Sequence, residues 1–291
     1  MTHAPSLRSS ILQNDPAYPA LLKEIHDPPQ RVFVRGVLPP HDALCVSVVG
    51  SRRMSPYGAR VVRLLVPPLA RAGAVIVSGL AFGVDSAAHK AALESDGRTV
   101  AVLPGGLDDA SIVPRHHLGL AHQLESTGNT LLSEYPDGTA THPGSFPKRN
   151  RLIAGLSRAT VIIEATGKSG TMLTARLAME ENRLVFAVPG PIDSALSEGP
   201  HRLIKDGAIP INSIEDILTA LDLTQLTLNL PANTPQSSAI AAALQNGPLP
   251  IDDLVFATQL PIGEVMAVLT ELELQGRVTT ADRQTYSLTV V

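Results

Sequence analysis

The chain has 291 residues, 44% of them hydrophobic and 17% charged, with a formal net charge of −4. That length suggests two domains, and that composition excludes a mainly disordered chain, a collagen-like repeat and a surface that is basic throughout. No apolar run reaches the roughly 18 residues of a membrane span, the opening MTHAPSLRSSILQNDP lacks the apolar core of a secretory signal, and the single cysteine, Cys45, cannot close an internal disulfide. A cytoplasmic protein with no membrane partner is the expectation.

In chain order, residues 1–40 read as a weak helical or turn segment packed on the core, ending in RVFVRG and the breaker Leu38-Pro39-Pro40. From residue 41 the texture changes. Short Val- and Ile-rich runs predict strands at 44–49, 74–78, 99–103, 130–133, 160–164 and 184–188, continuous in the way of strands buried on both faces of a parallel sheet. Helices are predicted between them, near 57–72, 85–95, 114–127, 147–156 and 170–182. This alternation predicts an α/β fold over 41–222, a Rossmann-like, doubly wound and mainly parallel sheet. The apolar positions of 201–222, among them Leu203, Ile211, Ile217 and Leu218, suit either a dimer patch or a core. Residues 223–236, with two prolines and no charge, read as a linker. Three helices near 237–246, 251–257 and 261–275, then the strand pair RVTTADRQTYSLT, predict a small winged-helix domain over 237–291.

Charge is uneven along this layout. Residues 45–63 carry Arg52, Arg53, Arg60 and Arg63 and no acid; residues 146–158 carry Lys148, Arg149, Arg151 and Arg158 and no acid. The segment 231–291 has two cations against six acids, so it holds a net −4 by itself. An anionic partner is therefore expected at the middle of the chain. The third helix of the C-terminal domain shows Glu264, Glu271 and Glu273 and no cation, which suits protein contact better than base reading.

Ligands of parallel α/β sheets bind at the carboxyl ends of the strands. Five predicted strand ends carry glycine loops: Gly50-Ser51-Arg52-Arg53, Gly79 to Gly83, Pro104-Gly105-Gly106, Gly167-Lys168-Ser169-Gly170-Thr171 and Pro189-Gly190-Pro191. Glycine lets backbone N–H groups approach a ligand, and helix N-termini add unpaired donors. With the hydroxyls of Ser51, Ser169 and Thr171 and the charges of Arg52 and Lys168, the loops describe a phosphate pocket. In FPKRNRLIAGLSR (146–158), cations beside Phe146 suit single-stranded nucleic acid, with charges on phosphates and a ring on a base. Phe82 is a weaker stacking candidate and reads first as core.

Named nucleotide motifs fail: there is no G-x-G-x-x-G, and the P-loop spacing puts its first glycine at Ile162. No catalytic residue stands out. Asp85 reads as a helix N-cap and His89 as a satisfied helix residue. Glu134 and Glu164 read as ion-pair partners for Arg52 or Arg149. His116, His117 and His122 lack zinc-site spacing, so no metal is expected. Cys45 reads as buried and inert.

Taken together, VVGSRR (48–53), SGLAFGVDSAAHKAAL (78–93), SEYPDGT (133–139), FPKRNRLIAGLS (146–157), EATGKSGTMLTARLAME (164–180), VPG (188–190) and HRLIKDGA (201–208) resemble the DNA-processing protein A family, DprA or Smf, over roughly residues 11–222. The resemblance implies an extended Rossmann-like fold with a C-terminal winged helix. It implies sequence-independent binding of single-stranded DNA, loading of the RecA recombinase during natural transformation, a homodimer, no cofactor and no catalytic step. By position it implies phosphate contacts from Ser51, Arg52, Gly79, Lys148, Arg149, Asn150, Arg151, Ser169, Gly170 and Thr171, with Phe146 stacking. One stretch departs from the family: LDDASIVPRHH comes after Pro104-Gly105-Gly106 and lacks the usual Tyr, so a different geometry is expected for that loop. The pocket is also similar to that of nucleoside-monophosphate phosphoribohydrolases related to the LOG family, the alternative reading. Their P-G-G-x-G-T-x-x-E is not matched here, since the Pro-Gly-Gly leads into Leu107-Asp108-Asp109.

Overall fold

Five consecutive buried residues at Cys45–Val49, apolar except for Ser47, make the central strand β3. Its side chains divide between two helical layers. Val46 and Val48 join a core with helices α2 (Pro56–Arg71) and α3 (Val84–Leu93), whereas Cys45 and Val49 join one with α5 (Ser145–Leu156) and α6 (Gly170–Glu180). The same alternation holds in β4 (Val75–Ser78), β5 (Thr99–Leu103), β6 (Thr130–Ser133), β7 (Ala159–Ile162) and β8 (Leu184–Ala187). Burial on both faces explains why these strands read as continuous apolar runs. Burial also pushes the Cys45 thiol up to about 12.

The computed structural model describes residues 8–223, 235–245, 247–274, 278–280 and 285–288. These form two compact units, residues 1–224 and 225–291. In the first, the strand order is β1-β2-β6-β5-β4-β3-β7-β8-β9, with β3 to β9 parallel. The chain winds from β3 to β6 in one direction, then returns beside β3 as β7 and winds the other way. The switch point lies between β3 and β7, where doubly wound sheets form their ligand crevice.

The first 40 residues are a correction to the sequence reading. They supply two strands, β1 (Arg8–Leu12) and β2 (Arg31–Gly36), which extend the sheet antiparallel to one another and to β6. The short helix α1 (Ala20–Lys23) lies between them. The polar Arg35 interrupts the apolar pattern of β2, yet it is buried. It binds Asp109 at 2.7 Å, Glu125 at 2.7 Å and the Leu107 carbonyl at 2.9 Å. It thereby fixes the loop that lacks the family's Tyr. The Arg35 guanidinium holds the Asp109 carboxyl below its usual range. Ile112 fills the interior of that loop at 0% exposure.

Helix α4 (Leu118–Ser126) comes after a 3-10 turn at Arg115–His117, and α7 (Glu198–Lys205), β9 (Ile209–Pro210) and α8 (Ile214–Ala220) close the unit. Leu203, Ile211, Ile217 and Leu218 of the candidate patch are core residues, whereas Ile204 and Ile214 are half-buried and Ile209 is exposed.

The predicted linker lies mainly outside the described residues. In the second unit, α9 (Pro235–Leu244), α10 (Ile251–Thr258) and α11 (Ile262–Leu274) pack with the three-stranded sheet of β10 (Leu249–Pro250), β12 (Thr285–Leu288) and β11 (Val278–Thr280). Ile240, Leu244, Leu254, Val265 and Leu269 form its core. On α11, Ile262, Glu264 and Met266 face outward. Among the described residues, no single helix is long and apolar enough to cross a membrane.

His89 is enclosed in the first unit. Its Nδ1 lies 2.7 Å from the Thr99 hydroxyl, which itself donates to the Ile76 carbonyl at 2.6 Å. Nδ1 is therefore the donor and the ring is neutral. Burial, then the charges of His117 and Arg149, push its pKa down to about 3. The unfolded imidazole takes a proton near 6.5. Between those values the unfolded state binds the extra proton, so acid destabilises the fold. Urea unfolding should show stability falling below pH 6.5 by up to about 1.4 kcal/mol per pH unit from this side chain. His89→Gln should lack that component, and a profile parallel to the wild type would contradict this assignment.

Candidate nucleic-acid interface

At the switch point, the loop after β3 and the N-terminus of α6 are bound to each other. Ser169 caps α6 by accepting the Thr171 N–H at 3.1 Å, and the Thr171 hydroxyl donates to the Gly50 carbonyl at 3.1 Å. The loop after β4 closes on the same point. Gly83, at φ +76°, lies so near the Ser51 carbonyl that a Cβ would approach it to 2.2 Å. Only glycine suits both that conformation and that approach. The result is a cavity of about 840 Å³, open to solvent, with the starts of α5 and α6 at its wall.

Eight of the expected residues line this one cavity: Ser51, Arg52, Phe146, Arg149, Asn150, Ser169, Gly170 and Thr171. Arg53, Thr166 and Asp85 also line it. Arg53 is visible in the sequence as a second cation after Arg52; Thr166 carries no signal beyond its place after a strand. Asp85 is the one acid in the lining, and it is not exposed to the cavity as a free charge.

Asp85 and Arg149 are the buried charges of the site, at 6% and 5% exposure. Arg149 reaches from the first turns of α5 to the rim of the sheet. Its Nη1 donates to the Gly79 carbonyl at 2.7 Å and to the Val102 carbonyl at 2.8 Å. Burial draws its pKa down to about 10, with the Asp85 charge opposing. The Asp85 carboxylate accepts the N–H groups of Gly79 (3.2 Å) and Ala81 (3.4 Å). Burial raises its pKa, and Arg149 is the largest influence holding it down. Asp85 is therefore a partner for Arg149 and the β4 loop, and Gly83 holds the N-cap position instead.

Gly79 is a correction. Its N–H and carbonyl are both taken inside the protein, so neither is free for phosphate. Its role is steric: a Cβ there would lie 1.9 Å from Nη1 of Arg149.

Arg52 is placed differently. Its guanidinium is exposed, stands 5.2 Å from the centroid of the Phe146 ring and meets no carboxylate within 4 Å among the described residues. Phe82 is 45% exposed rather than core, because Leu80, at φ +56°, takes the interior position in that loop. Phe82 packs on His117 and His116, with centroids at 4.8 and 5.8 Å. A smaller cavity of about 120 Å³ continues from the first, between Phe82, Phe146, Arg52, Gly79 and Pro104.

Other expectations are redirected. Lys148 is exposed on the first turn of α5 and lines neither cavity. Arg151 is turned away: it pairs with Glu134 at 2.5 Å and donates to the Asp27 carbonyl at 2.5 Å. Three and four residues make one helical turn, so Lys148 and Arg151 share a side of α5 that Arg149 does not. Glu134 thus serves Arg151, not Arg52 or Arg149. Glu164 accepts the Ser55 N–H at 2.9 Å and the Ser55 hydroxyl, anchoring the N-cap of α2. The loop after β8 takes no part in the cavity; its Pro189 and Gly190 carbonyls accept from Tyr57 (2.6 Å) and His201 (3.0 Å). Lys168 is exposed outside the lining. Among the described residues no group of three His, Cys, Asp or Glu could hold a metal ion.

Comparison with known proteins bears on this geometry. The model of the DNA recombination-mediator protein A family matches residues 9–222, and that of the DprA winged helix domain matches residues 224–282. The chain belongs to the DNA recombination-mediator protein A family. It is 42% identical over 273 residues to protein Smf of Escherichia coli, covering 89% of this chain and 72% of the relative. It is 42% identical over 208 residues to DNA processing protein DprA of Streptococcus pneumoniae, covering 72% of each. The X-ray structure of DprA from S. pneumoniae aligns with a TM-score of 0.68 at 40% identity, over 73% of this chain and 74% of that one. DNA processing protein A from Helicobacter pylori, solved for its single-stranded DNA binding mode, aligns with a TM-score of 0.66 at 33% identity, over 74% and 95%. The extended Rossmann-like fold with a C-terminal winged helix is thus that of the family.

The buried pair gives a test by double-mutant cycle. Arg149→Met strands the Asp85 carboxylate and should cost about 3–5 kcal/mol in urea unfolding. Adding Asp85→Asn should return part of that loss, because no buried charge is then left alone. Strictly additive losses would contradict a charge coupling between these two side chains.

Proposed function

We propose that this protein binds single-stranded DNA through its sugar–phosphate backbone at the cavity between β3 and β7, without sequence preference. The observation that carries the reading is Arg52. It is an exposed guanidinium with no carboxylate within 4 Å among the described residues, held against an aromatic ring at the mouth of a cavity walled by two helix starts. Helix N-termini and unpaired arginine favour phosphate, and an aromatic ring beside them favours a stacked base. The Ser51 hydroxyl, the Gly170 N–H and the Asn150 amide would complete a phosphate site, with Phe146 stacking, while the Ser169 and Thr171 hydroxyls donate within the protein and hold that loop in place. Arg149 contributes a fixed positive charge beneath the floor. The single-stranded DNA named for the H. pylori relative supports the same ligand class.

We extend the reading to the protein's setting: a cytoplasmic homodimer that places two such cavities on one strand and hands the strand to RecA recombinase during natural transformation and recombination. The family's description as a recombination mediator supports this role. We read the site as non-enzymatic. The carboxylates that could serve as acid or base, Asp85, Glu134 and Glu164, are each engaged in holding the fold.

In fluorescence anisotropy with oligothymidylate, Arg52→Ala should weaken binding about 10- to 100-fold, as expected for loss of one charge-assisted contact. It should also lower the log–log salt slope by about 0.7. Unchanged affinity and slope would remove Arg52 from the interface. Incubation with nucleoside monophosphates should release no free base; release would favour the phosphoribohydrolase reading.

A further inference from the structure

Between Asp42 and Asp85 the chain holds five arginines, Arg52, Arg53, Arg60, Arg63 and Arg71, and no acid. All five are exposed. Elsewhere in this unit Arg31, Arg98, Arg115 and Arg176 stand singly along the chain, also without a carboxylate within 4 Å among the described residues, whereas Arg35, Arg151, Arg158, Arg183 and Arg202 each meet one, at 2.5–3.9 Å. The five of this stretch do not, among the described residues.

Their placement is continuous with the cavity. Arg52 and Arg53 line it, and Ser55 then caps α2, anchored through Glu164 to the end of β7. Along α2, Val61, Val62, Leu65, Val66 and Leu69 face the core. Arg60, Leu64, Pro67 and Arg71 recur at three- and four-residue steps, so they lie along the opposite face, with Arg63 beside them. Leu64 is 68% exposed in the middle of this stripe. The Arg60 guanidinium sits 5.8 Å from the centroid of the Tyr57 ring, which steadies it at the cavity end of the helix. From Arg60 to Arg71 the stripe runs about 16 Å along the axis.

We propose that a single strand leaving the cavity continues along this face of α2, its phosphates meeting Arg60, Arg63 and Arg71. The inference rests on the cavity's being a polynucleotide site and adds an exit track to it. Leu64 gives a base or sugar an apolar surface between the charges. The track makes a longer strand bind with more counterion release than the cavity alone can give.

The test uses the full chain, at near-physiological salt where the Debye length is about 8 Å. A short oligothymidylate that fills the cavity is compared with one several times longer. The triple variant Arg60→Gln, Arg63→Gln, Arg71→Gln should lower the salt slope for the long strand by about 2, at about 0.7 per lost phosphate contact. It should leave the short strand unchanged. The corresponding triple Arg→Lys variant should keep most of the long-strand slope. An unchanged long-strand slope, or an equal fall for both lengths, would overturn the track while leaving the cavity in place. Wild-type protein that binds neither strand would overturn the cavity reading itself.

Discussion

A guanidinium below the rim of a sheet is an unusual thing to bury, and the site is organised around the one at Arg149. Two strand-end carbonyls, from Gly79 and Val102, accept its protons, and Asp85 supplies the opposite charge. Through that one side chain, α5 is fixed to β4 and β5. The start of α5 carries Phe146, and Phe146 sets where Arg52 stands. The pair also explains two glycines. Gly79 has no Cβ because Nη1 occupies its place, and Gly83 has none because the loop that Asp85 stabilises must press on the Ser51 carbonyl. Removing a buried charge's partner costs more than removing the whole pair, so this arrangement resists piecemeal change.

Neighbouring cations therefore do different work. In Lys148-Arg149-Asn150-Arg151, one residue is solvated, one is buried under the floor, one lines the cavity and one is locked to Glu134 on the far side of the helix. Helical geometry sorts them, because consecutive residues point about a quarter-turn apart or more. The same sorting across the molecule separates arginines that hold the fold from arginines that face solvent without a partner. Among the described residues, the second kind includes a consecutive series from the cavity wall along α2, Arg52, Arg53, Arg60, Arg63 and Arg71. A local excess of positive charge thus coexists with a net negative chain, since residues 43–84 hold no acid and the segment 231–291 holds a net −4.

Much of this is legible in the sequence. The six buried parallel strands read correctly because burial on both faces removes any polar alternation. The glycine loops point to one edge of the sheet, and eight named residues do converge on one cavity. What escapes does so for physical reasons. The β1–β2 pair is hidden because its inward Arg35 looks like a polar break; only the distant Asp109 and Glu125 make it a core residue. Phe82 reads as core, but Leu80, left-handed in the same loop, is the buried side chain and Phe82 is exposed, and a backbone torsion leaves no mark in composition. Arg149 and Arg151 cannot be told apart by charge, since the partners that fix them lie 17 to 124 residues away along the chain. Of the five glycine loops, the one after β8 is sequestered by Tyr57 and His201, which the local pattern does not show.

The most direct test of a strand gripped at the rim between β3 and β7 is covalent mapping. An oligothymidylate carrying photoreactive thiothymidines, irradiated with the full-length protein and digested, reports every peptide a base touches. Adducts concentrated on the peptides holding Arg52, Phe82 and Phe146 are the expected result. Adducts concentrated on α10 and α11, or at the opposite edge of the sheet around Asp96 and Asn129, would contradict it.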